Sequence, residues 1–256
     1  MYLALFLGAS LFAAFWQNFN LAKDYRTADR SSSGIAPDPS TTPEAVVQLY
    51  GARAFNWRGV FSLHTWVATK EPGASHFTVY QVTGWRVRQR LPALSVSNDI
   101  PDRKWFDARP RVLAELRGEQ AAQAIHDIAR AAEEYPYAED YTLWPGPNSN
   151  TFTAYVARRV PELGAEIPVT AIGKDYLGSP FVGRAPSGSG FQISLYGILG
   201  LIVAPQEGLE VNLLGLSFGI DPLGPAISLP FIGRLGFSLD RRRQADGSAP
   251  SAAPRR

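Results

Sequence analysis

Trp144-Pro145-Gly146-Pro147-Asn148-Ser149-Asn150-Thr151-Phe152 brings a turn, a helix start and a hydroxyl together in one short stretch. Pro145 and Pro147 fix φ and Gly146 tolerates angles other residues avoid, so the stretch opens with an irregular turn. Asn148 or Ser149 then supplies the side-chain oxygen with which a helix begins. Phe152, Tyr155, Val156 and Val160 follow at helical spacing, which carries the helix to about Pro161. A hydroxyl on the first turn of such a helix sits at the positive end of its macrodipole. Several hydrolase folds place a nucleophile there, and any ordinary helix places a cap there.

Upstream, His64 is the natural partner for Ser149. The run Val60–Lys70 reads as a strand in which Phe61, Leu63, Thr65 and Val67 alternate against Ser62, His64 and Trp66. A serine hydroxyl is a poor nucleophile at neutral pH unless a base takes its proton, a task suited to histidine. Amides at the helix start would then serve as oxyanion donors. Tyr80 or Gln81 on the following strand could orient the ring. Against this stands an ordinary reading of the same residues: a half-buried strand histidine, and a serine beside a helix cap. His76, in a turn, and His126, on the polar side of a helix, read as solvated.

Around these residues the chain reads as an antiparallel sheet packed with helices, an α+β class. Ala45–Tyr50, Val60–Lys70 and Phe77–Arg90 are the strands, with Pro72-Gly73 as a turn and Val112–Leu116 as a short addition. Glu119–Glu134 is the clearest helix, with Ala122, Ile125, Ile128, Ala129 and Ala132 as its stripe. Residues 44–186 form this domain. Over 187–239, Phe191–Val203 and Leu209–Ile220 are glycine-spaced apolar strands joined by Pro205–Gly208, a β-hairpin extension whose leucines pack on the sheet or touch a membrane. Residues 240–256, basic and rich in Ala, Pro and Ser, predict a disordered tail.

The N-terminal run Met1–Trp16, MYLALFLGASLFAAFW, is almost wholly apolar but shorter than the roughly 20 residues of a full span. It predicts an N-terminal apolar helix over 1–22 acting as a membrane anchor or uncleaved signal, with a buried N-terminal helix as the alternative. Lys23, Arg26 and Arg30 follow the run beside Asp24 and Asp29, and weakly favour a cytoplasmic C-terminal side. An upstream start adding a basic segment would reverse that and place the folded part at the inner membrane facing the periplasm. Residues 23–43, rich in Ser, Thr and Pro, read as a linker.

Composition removes several function classes. The net charge of +2 offers no electrostatic footprint for nucleic acid. With no cysteine there is no disulfide, thiolate metal site or cysteine nucleophile. Three histidines without HxH or HxxxH spacing predict no metal site, and no phosphate- or dinucleotide-binding glycine fingerprint predicts a cofactor. Trp57, Trp66, Trp85, Trp105 and Trp144, scattered through loops and strand ends, either line a groove or belong to the core.

Glu44–Tyr50, Trp57-Arg58-Gly59, His64-Thr65-Trp66, Gly146–Phe152 and Ala171-Ile172-Gly173-Lys174-Asp175-Tyr176 together resemble a bacterial family known as Domain of Unknown Function 3750, from about Glu44 to near Phe237. That resemblance implies no activity. A looser likeness, carried by two motifs and the order of elements, is to permuted papain-like folds of the PPPDE and NlpC/P60 type. These place a histidine strand first and the nucleophile later, often as Asn-Cys-Asn-x-Phe. Asn148-Ser149-Asn150-Thr151-Phe152 fits that pattern with serine in the cysteine position.

The likeness implies Ser149 as nucleophile, His64 as base, and a cleft with Asn148, Asn150, Trp66 and Trp144. Serine lacks the low pKa that activates a thiolate, so the substitution asks more of the base and the oxyanion hole. Two readings follow. One is a membrane-associated envelope hydrolase acting on amide or ester bonds of peptide, cell-wall or lipid origin. The other is a non-catalytic envelope binding or scaffold protein that keeps the cleft.

Overall fold

The first sheet is built around Val46–Arg53 (β1), an apolar strand with both neighbours antiparallel. In this computed structural model, which describes residues 24–236 together with Gly8, the sheet order is β4-β3-β2-β1-β5. The other strands are Leu63–Lys70 (β2), Thr78–Val82 (β3), Leu94–Asn98 (β4) and Arg111–Arg117 (β5). The single turn Arg58–Phe61 (α1) precedes β2, and Gly84–Arg88 (α2) follows β3. Two longer helices, Gly118–Glu133 (α3) and Ser149–Arg159 (α4), cover one face, where they bury Leu49, Val67 and Val82 with Ile128 and Phe152. The opposite face buries Val46, Tyr50, Trp66, Ala68 and Phe77 beneath Trp105 and Ala108. Because β1 and β2 are covered on both faces, they carry apolar residues at odd and even positions alike. Apart from Gly8, the apolar N-terminal run lies outside the described residues, as does the C-terminal tail from 240.

Several elements depart from their sequence reading for local reasons. The Val60–Lys70 strand starts only at Leu63, because Arg58–Phe61 closes a helical turn first. The run Phe77–Arg90 ends as a strand at Val82 and becomes α2. β4 escapes hydrophobic pattern reading because it is a polar edge strand, Leu-Ser-Val-Ser-Asn. In α3 the buried residues are Ala121, Ala124, Ile125, Ile128, Ala131 and Ala132. The stripe is rotated from the predicted one because alanines flank both isoleucines and either set satisfies the period. The stretch read as a linker is tied down: buried Asp102 accepts from Ser32 Oγ at 2.7 Å and from the Ile35 amide at 2.8 Å, and Lys104 pairs with Asp29.

The C-terminal part is larger than a hairpin. Val182–Arg184 (β6), Phe191–Leu195 (β7), Leu199–Ala204 (β8), Gly208–Leu213 (β9), Leu216–Asp221 (β10), Ala226–Leu229 (β11) and Gly233–Gly236 (β12) form a sheet of seven antiparallel strands in chain order. Each predicted long strand is broken by a tight turn. Tyr196-Gly197 and Leu214-Gly215 have positive φ at both positions, the geometry of type I′ hairpins. Tyrosine and leucine are unusual first residues for such turns, so the sequence reads through them.

The polarity of this second sheet is inverted. Along β7, Gln192 and Ser194 are buried while Phe191, Ile193 and Leu195 are exposed, and β9 buries Glu210 and Asn212 beneath exposed Leu209, Val211 and Leu213. The cause lies in what the inner face meets. Lys174 is fully buried, with Nζ 2.5 Å from Glu210 Oε2 and 3.1 Å from the Ile167 carbonyl. Asp175 Oδ2 accepts from Asn212 Nδ2 at 2.9 Å and from Ser217 Oγ at 3.1 Å. Arg158 of α4 donates to Gln192 Oε1 at 2.8 Å. Burial pushes the Glu210 carboxyl up to about 7. Burial also opposes the Lys174 ammonium, but Glu210 and Asp175 outweigh it and hold that group above its usual value. A polar face is required here because unpaired buried charges are costly.

Candidate functional site

The turn at Trp144–Pro147 delivers α4 end-on against β2. Asn148 is the N-cap: its Oδ1 accepts from the amides of Asn150 at 2.9 Å and Thr151 at 3.3 Å. Thr151 Oγ1 in return accepts from the Asn148 amide at 3.1 Å, completing a capping box. The same side chains reach beyond the helix. Asn148 Nδ2 donates to the carbonyls of Leu143 and Ile172 at 3.1 and 3.2 Å, and Thr151 Oγ1 donates to the Gly173 carbonyl at 2.8 Å. Gly173 has φ +100°, and any Cβ there would collide with the Asn148 amide. Asn150 Nδ2 donates to the carbonyls of Leu63 and Ile172 at 3.0 and 2.8 Å, and its Oδ1 accepts from Thr65 Oγ1 at 2.8 Å. The result is a polar clasp joining β2, the start of α4 and the 172–173 loop.

Ser149 sits inside this clasp. Its hydroxyl takes no part in the bonds above, and the residue is only 4% exposed. The amides proposed as oxyanion donors are occupied, since Asn150 and Thr151 already donate to Asn148 Oδ1.

His64 is elsewhere. β2 pairs with β1 in unbroken register from Leu63 to Lys70, so adjacent side chains point to opposite faces. Thr65 faces α4, and His64 therefore faces away from it. The imidazole stacks on Trp105 with ring centroids 3.7 Å apart and lies 5.7 Å from the Trp66 ring. Gln81 Nε2 is 3.0 Å from His64 Nε2. An amide nitrogen can only donate, so the ring nitrogen accepts there and the neutral ring keeps its proton on Nδ1. Burial lowers the His64 pKa to about 3. The pairing of Ser149 with His64 expected from the sequence is thus not made: sheet parity puts the base on the wrong side.

The remaining cleft residues divide the same way. Asn148, Ser149, Asn150 and Trp144 gather at the helix start, with Trp144 half-exposed and its Nε1 donating to the Leu214 carbonyl at 3.1 Å. Trp66 belongs to the far face, buried, stacked on Tyr50 and donating to the Pro101 carbonyl at 2.8 Å. Of the two side chains considered as orienters for His64, Gln81 is the one that reaches it. Trp85 lies on the outside of Trp105, completing a His64–Trp105–Trp85 stack. Two surface clefts, of about 610 and 190 Å³, open near Asp102 and near Arg53 and Arg111, and neither is lined by Ser149. Thr65 and the Lys174–Glu210 pair were not singled out by motif chemistry, whereas Asn150, expected in the cleft, is found in the clasp. For Thr65 the available signal was its alternation with His64.

A family model described as "Protein of unknown function (DUF3750)" matches residues 44–176, just over half the chain. The chain belongs to the DUF3750 family. The matched DUF3750 region spans β1 through α4 and ends at Tyr176, short of the Phe237 expected from the sequence, so the second sheet lies outside it. Its last residues include Lys174 and Asp175, which carry the polar contacts to that sheet. No curated protein and no solved structure matches the chain.

Proposed function

We propose that this DUF3750 protein is a non-catalytic binding or scaffold protein of the bacterial envelope. The observation supporting this reading is that Thr65, and not His64, meets the start of α4. A histidine strand followed by a capped helix keeps the element order of permuted papain-like folds. In this reading the position that holds a thiolate in those enzymes has become part of a structural clasp. Serine without a base, and with its neighbouring amides already bonded, has no route to a stabilised oxyanion.

A fluorophosphonate probe tests the reading directly. The expected result is no labelling of full-length protein at Ser149. Labelling that disappears in Ser149→Ala would restore the hydrolase reading. Attachment to the inner membrane, with the folded part on the periplasmic side, is supported in this proposal only by the apolar run Met1–Trp16. Fractionation of the full chain against one beginning at Ser31 checks it, and a full chain that stays in the soluble fraction would end it.

A further inference from the structure

The outer face of the second sheet is continuous and apolar. One cross-strand row runs Phe191–Val203–Leu209–Ile220–Ile227–Leu235, and a second runs Val182–Ile193–Leu201–Val211–Phe218. A third joins Leu195, Leu199 and Leu213 and ends at Leu216, which packs against Val60 and Phe231. Arg184, at the corner of the sheet beside Phe191, is the one charged residue in register with these rows among the described residues. The turn tips add Tyr196, Leu214 and Leu223, all exposed. Scattered surface leucines are ordinary, but a contiguous apolar face over seven strands marks a contact with something apolar.

We propose that this face lies on the surface of an anionic lipid bilayer, with the outward side chains inserted among the acyl chains. Width separates this occupant from a single helix. Seven strands make a face about 29 Å wide, of which one helix about 10 Å across would cover only about a third. Charge separates it from a second copy. Shortly beyond Gly236 the sequence continues as Asp240-Arg241-Arg242-Arg243, with Arg255 and Arg256 further on. Cations that follow the sheet so closely in sequence complement anionic headgroups and disfavour a second copy carrying the same charges. The polar interior with an apolar exterior is also the polarity of sheets that face lipid.

The contact is independent of the N-terminal run, and the test keeps the two apart. The chain has no cysteine, so a single introduced thiol can be labelled uniquely. Full-length Val211→Cys carrying an environment-sensitive fluorophore is reconstituted with phosphatidylglycerol-containing vesicles, beside Gln120→Cys on α3 as a control. Expected are a blue shift and quenching by spin-labelled acyl chains at position 211, and neither at 120. Replacing Arg241, Arg242 and Arg243 by Gln should weaken partition of the labelled face by roughly a hundredfold. A label at 211 that stays water-exposed while the protein remains vesicle-bound overturns the proposal and leaves the N-terminal run as the sole attachment. Energy transfer between 211 labels that persists on lipid dilution, without acyl-chain quenching, overturns it in favour of a second copy. A label at 211 shielded from both water and acyl chains, with no transfer between copies, overturns it in favour of a segment of the same chain.

Discussion

The two sheets solve opposite problems with the same pleat. The first sheet buries both faces of its central strands, so β1 and β2 carry apolar residues on either side, and a cluster of polar groups gathers where α4 abuts β2. The second sheet buries one face against Lys174, Asp175 and Arg158, so its polar residues turn inward and its leucines turn out. Period-two alternation is the same signal in both cases. What differs is the chemistry of the layer each sheet is given to cover. Stability in the first region therefore rests on apolar packing, and cohesion between the two regions rests on desolvated polar contacts together with a small apolar cluster of Val60, Phe61, Leu216 and Phe231.

The sharpest way to break that contrast is at the junction. Lys174→Met leaves Glu210 buried without its cation and should cost about 3–5 kcal/mol in urea unfolding. Lys174→Met combined with Glu210→Leu should recover most of the loss, because the double variant leaves no uncompensated charge. Failure of the double variant to recover would mean that the pair is not what joins the sheets.

Packing comes next. Leu49→Ala in the first sheet should cost about 2–5 kcal/mol, whereas Leu213→Ala on the outer face of the second should change stability by less than about 0.5 kcal/mol in the absence of lipid. Similar losses at both positions would mean the outer face is covered.

A pH series probes the buried far face. His64 is neutral when folded, with a pKa near 3 against 6.5 in the unfolded chain. Its contribution is complete above pH 6.5 and is lost as pH falls, amounting to about 2 kcal/mol by pH 5. Glu210 acts with the opposite sign: its raised pKa favours the fold most below 4.5, and that gain fades as pH rises through 7. The difference between wild type and His64→Gln isolates the histidine, and should shrink by about 2 kcal/mol between pH 7 and pH 5. A constant difference would place His64 in contact with water.

The smallest effect is at Ser149. Ser149→Ala should alter stability by less than about 0.5 kcal/mol, while Asn148→Ala, which removes the cap, should cost about 0.5–2 kcal/mol. A Ser149→Ala loss as large as that of Asn148→Ala would show that the hydroxyl belongs to the clasp.

Much of this was legible from the chain. The helix start at Asn148 and the helix over 118–133 follow from local rules, because caps and 3.6-residue periods act within a few residues. The β1, β2 and β5 strands were visible in the same way. The turns at Tyr196-Gly197 and Leu214-Gly215 were not, since their first residues favour strands. The Lys174–Glu210 contact spans 36 residues and has no local signature.

His64 shows where the boundary falls. By itself the sequence determined that His64 and Thr65 point to opposite sides of one strand, because side chains alternate along any strand. It likewise determined that Phe191, Ile193 and Leu195 share a side opposite Gln192 and Ser194. Only the tertiary structure decided which side each set would see. Parity is a local property of the backbone, whereas the identity of the covering layer depends on where α4 and the Lys174–Asp175 loop come to rest.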